Sequence, residues 1–291
     1  MLLCAEHLRI AFALDGAKSV PVRDVSFSVP ENGRVALVGE SGSGKTLTAL
    51  ALGNLVERAE ISGEIRGKAR ISYIFQNPMQ SLDPVMRIGK QIRENAADRD
   101  AEALLENVGL PRECARKYPC ELSGGQQQRA MIAMALAMKP DLLVADEPTT
   151  ALDVTTQKEV LDLVSRVADE RGMAVLLITH NLGLVARYSS FVNVMYAGEI
   201  VERGQTREVL GNPRHPYTAG LIAAVPSIAA PRDAPLADIP GVVPPPTAWP
   251  KGCAFAPRCR YAEDKCKKEE THEEIASLFA DCGVRCIRVR R

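Results

Sequence analysis

Gly39-Glu40-Ser41-Gly42-Ser43-Gly44-Lys45-Thr46 constrains this chain more than any other stretch, because glycine, four residues, glycine, lysine, threonine is the spacing of a loop that holds phosphates. Successive backbone N–H groups cradle the phosphates, Lys45 reaches the outer ones, and the Thr46 hydroxyl goes to Mg²⁺. Residues 35–38 read as a short buried strand feeding the loop, and residues 47–56 as a helix whose N-terminus faces the anion. The expected ligand is ATP or GTP with Mg²⁺.

Further motifs fall where such a site needs them. Leu142-Leu143-Val144-Ala145 is an apolar strand ending in Asp146 and Glu147, and a strand end of this kind emerges at the sheet edge where phosphates lie. Asp146 is placed to hold Mg²⁺, directly or through water, and Glu147 to polarise the attacking water. His180 follows the strand-like run 174–179 and reaches the same edge. A lone histidine there is usually a solvated residue, but between Thr179 and Asn181 and beside a phosphate loop it reads as a γ-phosphate sensor or a partner of Glu147. Gln76 ends a strand over 70–75 and can contact Mg²⁺ or the water, while 77–84 leads away to the surface. In Leu122-Ser123-Gly124-Gly125-Gln126, Ser123 caps a helix running to Met138, and the paired glycines leave N–H groups bare at its start, a second anion site.

Composition sets the class. A chain of 291 residues with 46% hydrophobic content buries a substantial core, and Lys plus Arg equals Asp plus Glu at 36 each, so no global basic field draws it to nucleic acid. No apolar run of 18 residues is present, so the chain is not expected to span a bilayer, and its first residues lack the basic-then-apolar order of a secretory signal. The cytoplasm is the expected compartment, where the eight cysteines serve as thiols or metal ligands rather than disulfides. Eleven of the 19 prolines fall between Pro213 and Pro257, so regular structure should thin there. The division expected is a nucleotide-binding domain over 1–225, with a helical part about 78–138, and a proline-rich, cysteine-bearing extension over 226–291. Before the boundary, strand-like and helical runs alternate, as in a mostly parallel sheet covered by helices, and 191–201 reads as a hairpin turning at Ala197-Gly198.

The phosphate loop, Gln76, Leu122 to Gln126, Asp146-Glu147 and His180, in this order, resemble the ATP-binding cassette (ABC) family, whose signature motif is the Leu122 to Gln126 stretch. The resemblance implies a P-loop NTPase α/β cassette with a mostly parallel core sheet, an antiparallel β edge and a helical subdomain, and it makes Asp153 the D-loop residue. It also implies two cassettes, identical or different, paired head to tail, so that Ser123, Gly124, Gly125 and Gln126 of one complete the ATP site of the other. Phe12 is the candidate for stacking on adenine, against the plainer reading of a core residue beside Ile10. Tyr73 to Pro84, Tyr118-Pro119-Cys120-Glu121, His215-Pro216-Tyr217-Thr218 and Gly252 to Cys259 look like the importer ATPases for dipeptides, oligopeptides and nickel. That likeness implies a peripheral subunit at the cytoplasmic face of the inner membrane, bound to two transmembrane permease subunits and served indirectly by an extracytoplasmic substrate-binding protein. Three positions depart from the pattern: Cys120 replaces a usual histidine, Asn77 a usual aspartate, and 88–110 is short. A soluble cassette ATPase in a non-transport assembly, such as phosphonate breakdown, is the competing reading. A small-molecule kinase would leave Leu122 to Gln126 without a role. Long coiled-coil arms have no room in the roughly 80 residues between loop and signature.

Cys253, Cys259, Cys266, Cys282 and Cys286 fall in a segment of about 35 residues, too small to hold together without a staple. Thiolates at these spacings suit zinc, a [4Fe–4S] cluster or neither; zinc sites usually show two C-x-x-C pairs, and these cysteines do not. The family likeness implies [4Fe–4S] ligation by Cys253, Cys259, Cys266 and Cys286, with Cys282 spare. Cys4, Cys114 and Cys120 read as structural.

Overall fold

Three of the apolar runs form parallel strands β5 (Ile71–Ile74), β6 (Leu142–Asp146) and β7 (Ala174–Thr179), with Ile71 opposite Leu142 and Leu142 opposite Ala174. Every residue of β6 and β7 is buried, which is why their sequences are continuously apolar instead of alternating. The computed structural model describes residues 1–14, 17–95, 100–149, 152–226, 237–268 and 283–290. By its contacts the chain divides into two units: Met1–Leu3, Val29–Arg34 and Gly67–Ile178 form one, and Cys4–Ser28, Val35–Arg66 and Thr179–Arg291 the other.

The first unit adds helices to β7-β6-β5. Helices α2 (Pro78–Ser81), α3 (Ile88–Asn95), α4 (Ala101–Asn107) and α5 (Gly124–Ala137) occupy the stretch expected to be helical, and α6 (Val154–Arg171) follows β6. Ile88, Ile92, Leu105, Ile132 and Leu136 are among its fully buried apolar side chains. Local chemistry sets the ends: Asp100 caps α4, Asp153 caps α6, and Gly172 at φ 60 closes α6 in the left-handed conformation that glycine adopts at least cost.

In the second unit the strand order is β4-β1-β2-β9-β8-β3, from β1 (Leu3–Leu14), β2 (Ala17–Val29), β3 (Arg34–Val38), β4 (Glu60–Gly67), β8 (Phe191–Tyr196) and β9 (Glu199–Gln205). β3 runs parallel to β8, and β8 antiparallel to β9 through a turn at Ala197 (φ 50) and Gly198 (φ 79), the hairpin the sequence announces. Helices α1 (Lys45–Leu52), α7 (Leu182–Tyr188), α8 (Thr206–Gly211) and α9 (Pro216–Ala223) complete it.

The C-terminal segment belongs to this second unit and shares its core. Ala254 and Phe255 are buried with Tyr196, Tyr217 and Val194, and Trp249, Cys253 and Cys259 pack against the same cluster. Phe255 meets Tyr196 edge-on at 5.2 Å and Tyr217 at 5.4 Å. Trp249 Nε1 donates to the Val20 carbonyl at 2.8 Å, and Val284 forms an antiparallel bridge to Glu202 on β9. The expectation that so short a segment needs a staple of its own missed this, because the surface it buries against comes from residues far away in sequence.

Candidate nucleotide-binding site

The phosphate loop joins β3 to α1 in the second unit. Gly39 (φ 155), Gly42 (φ 79) and Gly44 (φ 98) all take backbone angles that favour glycine, and a Cβ on Gly39 would collide with the Met195 carbonyl. Ser43 and Thr48 are fully buried, and the Gly198 N–H donates to the Ser43 carbonyl at 3.1 Å, tying the loop to the β8–β9 turn. The Lys45 ammonium is buried and donates to the carbonyls of Gly39 and Glu40, each at 2.8 Å, and to Ser43 Oγ at 3.4 Å. Ser41 and Thr46 are exposed on the loop. A glycine-rich loop that opens a helix and carries a lysine is a form that suits a polyphosphate.

His180 also lies in the second unit, exposed directly after β7. Thr179 Oγ1 accepts from the Asn181 N–H at 3.1 Å, and Asn181 Oδ1 caps α7 by accepting from Gly183 and Leu184. Both neighbours of His180 therefore have local duties that fix the turn presenting it. Phe12 is half-buried on β1.

The first unit carries Gln76, exposed just beyond β5, together with Asp146, Glu147, the signature and Asp153. Asp146 ends β6 and is buried; Glu147 follows at φ 47, and its N–H donates to the Ile178 carbonyl at 2.9 Å. That left-handed conformation is uncommon for a non-glycine residue. Ser123 and Gln126 form a reciprocal capping box: Gln126 Oε1 accepts from the Ser123 N–H at 3.0 Å, and Ser123 Oγ from the Gln126 N–H at 3.4 Å. The Cα of Gly124 faces open space, so the start of this 14-residue helix is accessible to an anion. Asp153 accepts from Thr156 and Thr155, and the hydrogen bonds from Thr156 first of all hold its carboxyl below the ordinary range. A cavity of about 800 Å³ beside Arg70, Lys139 and Asp141 lies at the opposite, N-terminal ends of β5 and β6, away from the end where ligands meet parallel strands.

The cysteine segment gives a mixed result. Among the described residues no group of three or more His, Cys, Asp or Glu side chains is arranged to hold a metal ion, so the expectation of a metal centre there finds no support in a formed ligand group. Burial pushes Cys253 up to about 12, and the nearby Cys286, Cys266 and Cys259 add to it. Burial likewise raises Cys259 and Cys286. Cys282 lies outside the described residues.

Sequence reasoning missed a contact between the C-terminal segment and the loop. Arg258 Nη1 donates to Glu40 Oε2 at 2.7 Å, and the Glu40 N–H donates to Tyr217 Oη at 2.8 Å. No local signal announces it, since the partners stand 218 and 177 positions apart.

Comparison with known proteins fits this geometry. The family model described as ABC transporter matches residues 22–150, and that of the oligopeptide/dipeptide transporter C-terminal region matches 201–266. A putative peptide import ATP-binding protein of Brucella abortus (strain 2308) is 43% identical over 329 positions, covering 99% of this chain and 97% of its own. One from Brucella melitensis is 40% identical over 316 positions, covering 98% and 94%. Among solved structures, a dimeric ATP-binding cassette in a post-hydrolysis state with ADP and phosphate superposes with a TM-score of 0.62 at 23% identity, covering 71% of this chain and 99% of that one. The cbiO1 protein of Clostridium perfringens, part of the ABC transporter complex cbiONQ, superposes with 0.63 at 22% identity, covering 72% and 91%. The last two are likenesses of fold.

Proposed function

The chain belongs to the ABC transporter ATPase family, and on that premise we propose that it is the ATP-hydrolysing subunit of an importer for di- or oligopeptides. The observation that carries the reading is the likeness to peptide import ATP-binding proteins along essentially the whole chain, extension included. In this reading Gly39 to Thr46 receive the ATP phosphates, with Lys45 on the outer ones. Thr46, Asp146 and Gln76 serve Mg²⁺, Glu147 polarises the attacking water, and His180 senses the γ-phosphate. Phe12 stacks on adenine. Ser123 to Gln126 offer their open helix start to the ATP held by a second cassette, with Asp153 between the two sites.

Closure of two cassettes has to push on membrane subunits. No helix among the described residues is long and apolar enough to cross a membrane, so the permease subunits are separate partners in this proposal, met at the cytoplasmic face of the inner membrane. The surface that suits them lies in the helical part of the first unit, where Asp83, Val85, Met86, Arg87 and Tyr118 line a cavity of about 570 Å³ and Val85 is 82% exposed. The test is co-purification with two permease subunits after mild detergent extraction, followed by uptake of labelled dipeptides in cells with and without the gene. Equal uptake with loss of nickel accumulation would move the substrate from peptides to a metal; recovery with a soluble assembly alone would overturn the importer reading.

Cys253, Cys259, Cys266 and Cys286 are the residues that would hold a [4Fe–4S] group, which would clasp the segment. Burial raises the pKa of Cys253, Cys259 and Cys286, with smaller contributions from neighbouring thiols, and a cationic core would stabilise their thiolates. Protein purified without oxygen is expected to be brown with about four irons per chain, and Cys259→Ser colourless. Colourless wild-type protein without iron would remove the cluster from the account.

A further inference from the structure

Glu40 is the second residue of the phosphate loop, and each of its polar groups is committed. Its N–H donates to Tyr217 Oη at 2.8 Å, its carbonyl accepts from Lys45 Nζ at 2.8 Å, and its carboxylate accepts from Arg258 Nη1 at 2.7 Å. Two of these partners come from outside the loop. We infer that Arg258 and Tyr217 are positioning residues for ATP binding, holding the phosphate loop in shape from the C-terminal segment and from α9.

Arg258 is no mobile surface charge. Its side chain is 6% exposed, Nε donates to the Pro240 carbonyl at 2.9 Å, Nη2 to the Ile239 carbonyl at 3.0 Å, and the guanidinium lies 5.8 Å from the centre of the Tyr196 ring. Exposed ion pairs contribute little, but a guanidinium fixed by two carbonyls holds its Nη1 group in one direction, toward Glu40. Tyr217 is fully buried, its ring 4.6 Å from that of Tyr196 and 5.4 Å from that of Phe255. Its own N–H is held by His215 Nδ1 at 3.1 Å, so the hydroxyl that meets Glu40 is placed from both ends of the residue.

Phosphate binding by this loop depends on several N–H groups pointing inward at once, and a loop that must be ordered by the ligand binds it more weakly than one already ordered. Glu40 also supplies one of the carbonyls that hold the Lys45 ammonium, so its position sets where that ammonium starts. Loss of either outside contact should therefore raise the dissociation constant for nucleotide while leaving the chemical step, carried by other groups, unchanged at saturation.

The inference rests on reading Gly39 to Thr46 as the ATP-phosphate loop, and the experiment separates the two. Binding of magnesium AMP-PNP to the full-length chain is measured by calorimetry, with KM and kcat for ATP alongside. Arg258→Gln should raise Kd and KM about ten-fold, as expected for a partly buried hydrogen bond between charged groups, with kcat within about two-fold. Glu40→Gln should raise Kd by a similar factor, and the double variant should bind no worse than either single one, because both break one contact. Arg258→Lys keeps the charge, loses the fork, and should fall between. Tyr217→Phe removes one oxygen and should raise Kd about three-fold. A lower melting temperature with unchanged Kd and KM would show a merely structural role and overturn the inference, as would additive effects of Glu40→Gln and Arg258→Gln. If Arg258→Gln does not fold, Tyr217→Phe decides alone, and an unchanged Kd there refutes it. Lys45→Ala tests the loop itself: normal AMP-PNP binding in that variant sinks the reading of the site, whereas loss there with no effect at Arg258 and Tyr217 sinks only the positioning roles.

Discussion

On the proposed reading Lys45 and Glu147 have different roles, and substitution separates them. Lys45 brings the charge that meets the outer phosphates, so Lys45→Ala should leave no measurable ATP binding. Glu147→Gln keeps shape and hydrogen-bonding reach but removes the base, so ATP should bind with ordinary affinity while turnover falls by roughly 10²–10⁴-fold. Filter binding and phosphate release on the two proteins check this, and turnover near wild type in the Gln variant would remove Glu147 from its role. His215 gives a pH prediction. Burial drives its pKa from the ordinary 6.5 down to about 3, opposed by a hydrogen bond with the Arg285 backbone, and Nδ1 is occupied in accepting the Tyr217 N–H. The folded chain thus refuses a proton that the unfolded chain takes up below 6.5. Stability from this residue is complete above 6.5 and declines by up to about 1.4 kcal/mol per pH unit as pH falls from there toward 3. His215→Asn keeps a capping acceptor without the titration, so its urea midpoint should fall less than that of wild type between pH 7.5 and 5.5. Equal declines would contradict the assignment.

The elements differ in how far their sequences announce them. β6 and β7 are legible because buried parallel strands are written as unbroken apolar runs, and the loop and the Ser123 cap because their residues act on neighbours within a few positions. The resting place of the C-terminal segment is not legible. Phe255 and Arg258 sit in a stretch that signals family likeness but no contact, and the partners of Phe255, Trp249 and Arg258, namely Tyr196, Val20 and Glu40, are set by the fold of distant residues. The left-handed turn at Glu147 is equally silent, since nothing in a glutamate followed by proline announces a φ of 47. The aromatic cluster should be the main hold on the segment. Phe255 is 4% exposed, and Phe255→Ala should cost about 3–5 kcal/mol of the segment's docking. Limited proteolysis should then cut after residue 226 much faster than in wild type, while α5 and β6 in the first unit keep their protection. Resistance unchanged in Phe255→Ala would mean that something else, such as metal at the thiols, holds the segment.

At the scale of the whole chain, brevity matters. The alignment with the Brucella abortus relative runs over 329 positions against 291 residues here, so that relative carries at least 38 residues that this chain lacks. From the sequence, a short stretch is expected between Ile88 and Leu110, in the helical part where the proposal seats the membrane subunits, and on that expectation the loop, signature and Glu147 are untouched. ATP chemistry should therefore be ordinary even if partner choice is not. The strongest test of the composite site uses two disabled proteins. Ser123→Arg blocks the open helix start beside Gly124 but spares its own loop, whereas Lys45→Ala spoils the loop but spares the signature. Each variant alone builds only defective sites. In a mixed homodimer, one site combines both defects, and the other joins the sound loop of the Ser123 variant to the sound signature of the Lys45 variant. Mixing should thus restore hydrolysis that neither protein shows by itself, up to about a quarter of wild type: random pairing makes half of the dimers mixed, each with one good site of two, provided one site can fire alone. No recovery on mixing, with both variants shown to pair, would mean that both sites must fire together or that the second cassette is a different subunit. Full activity of Ser123→Arg alone would show that the signature does not complete the partner's site.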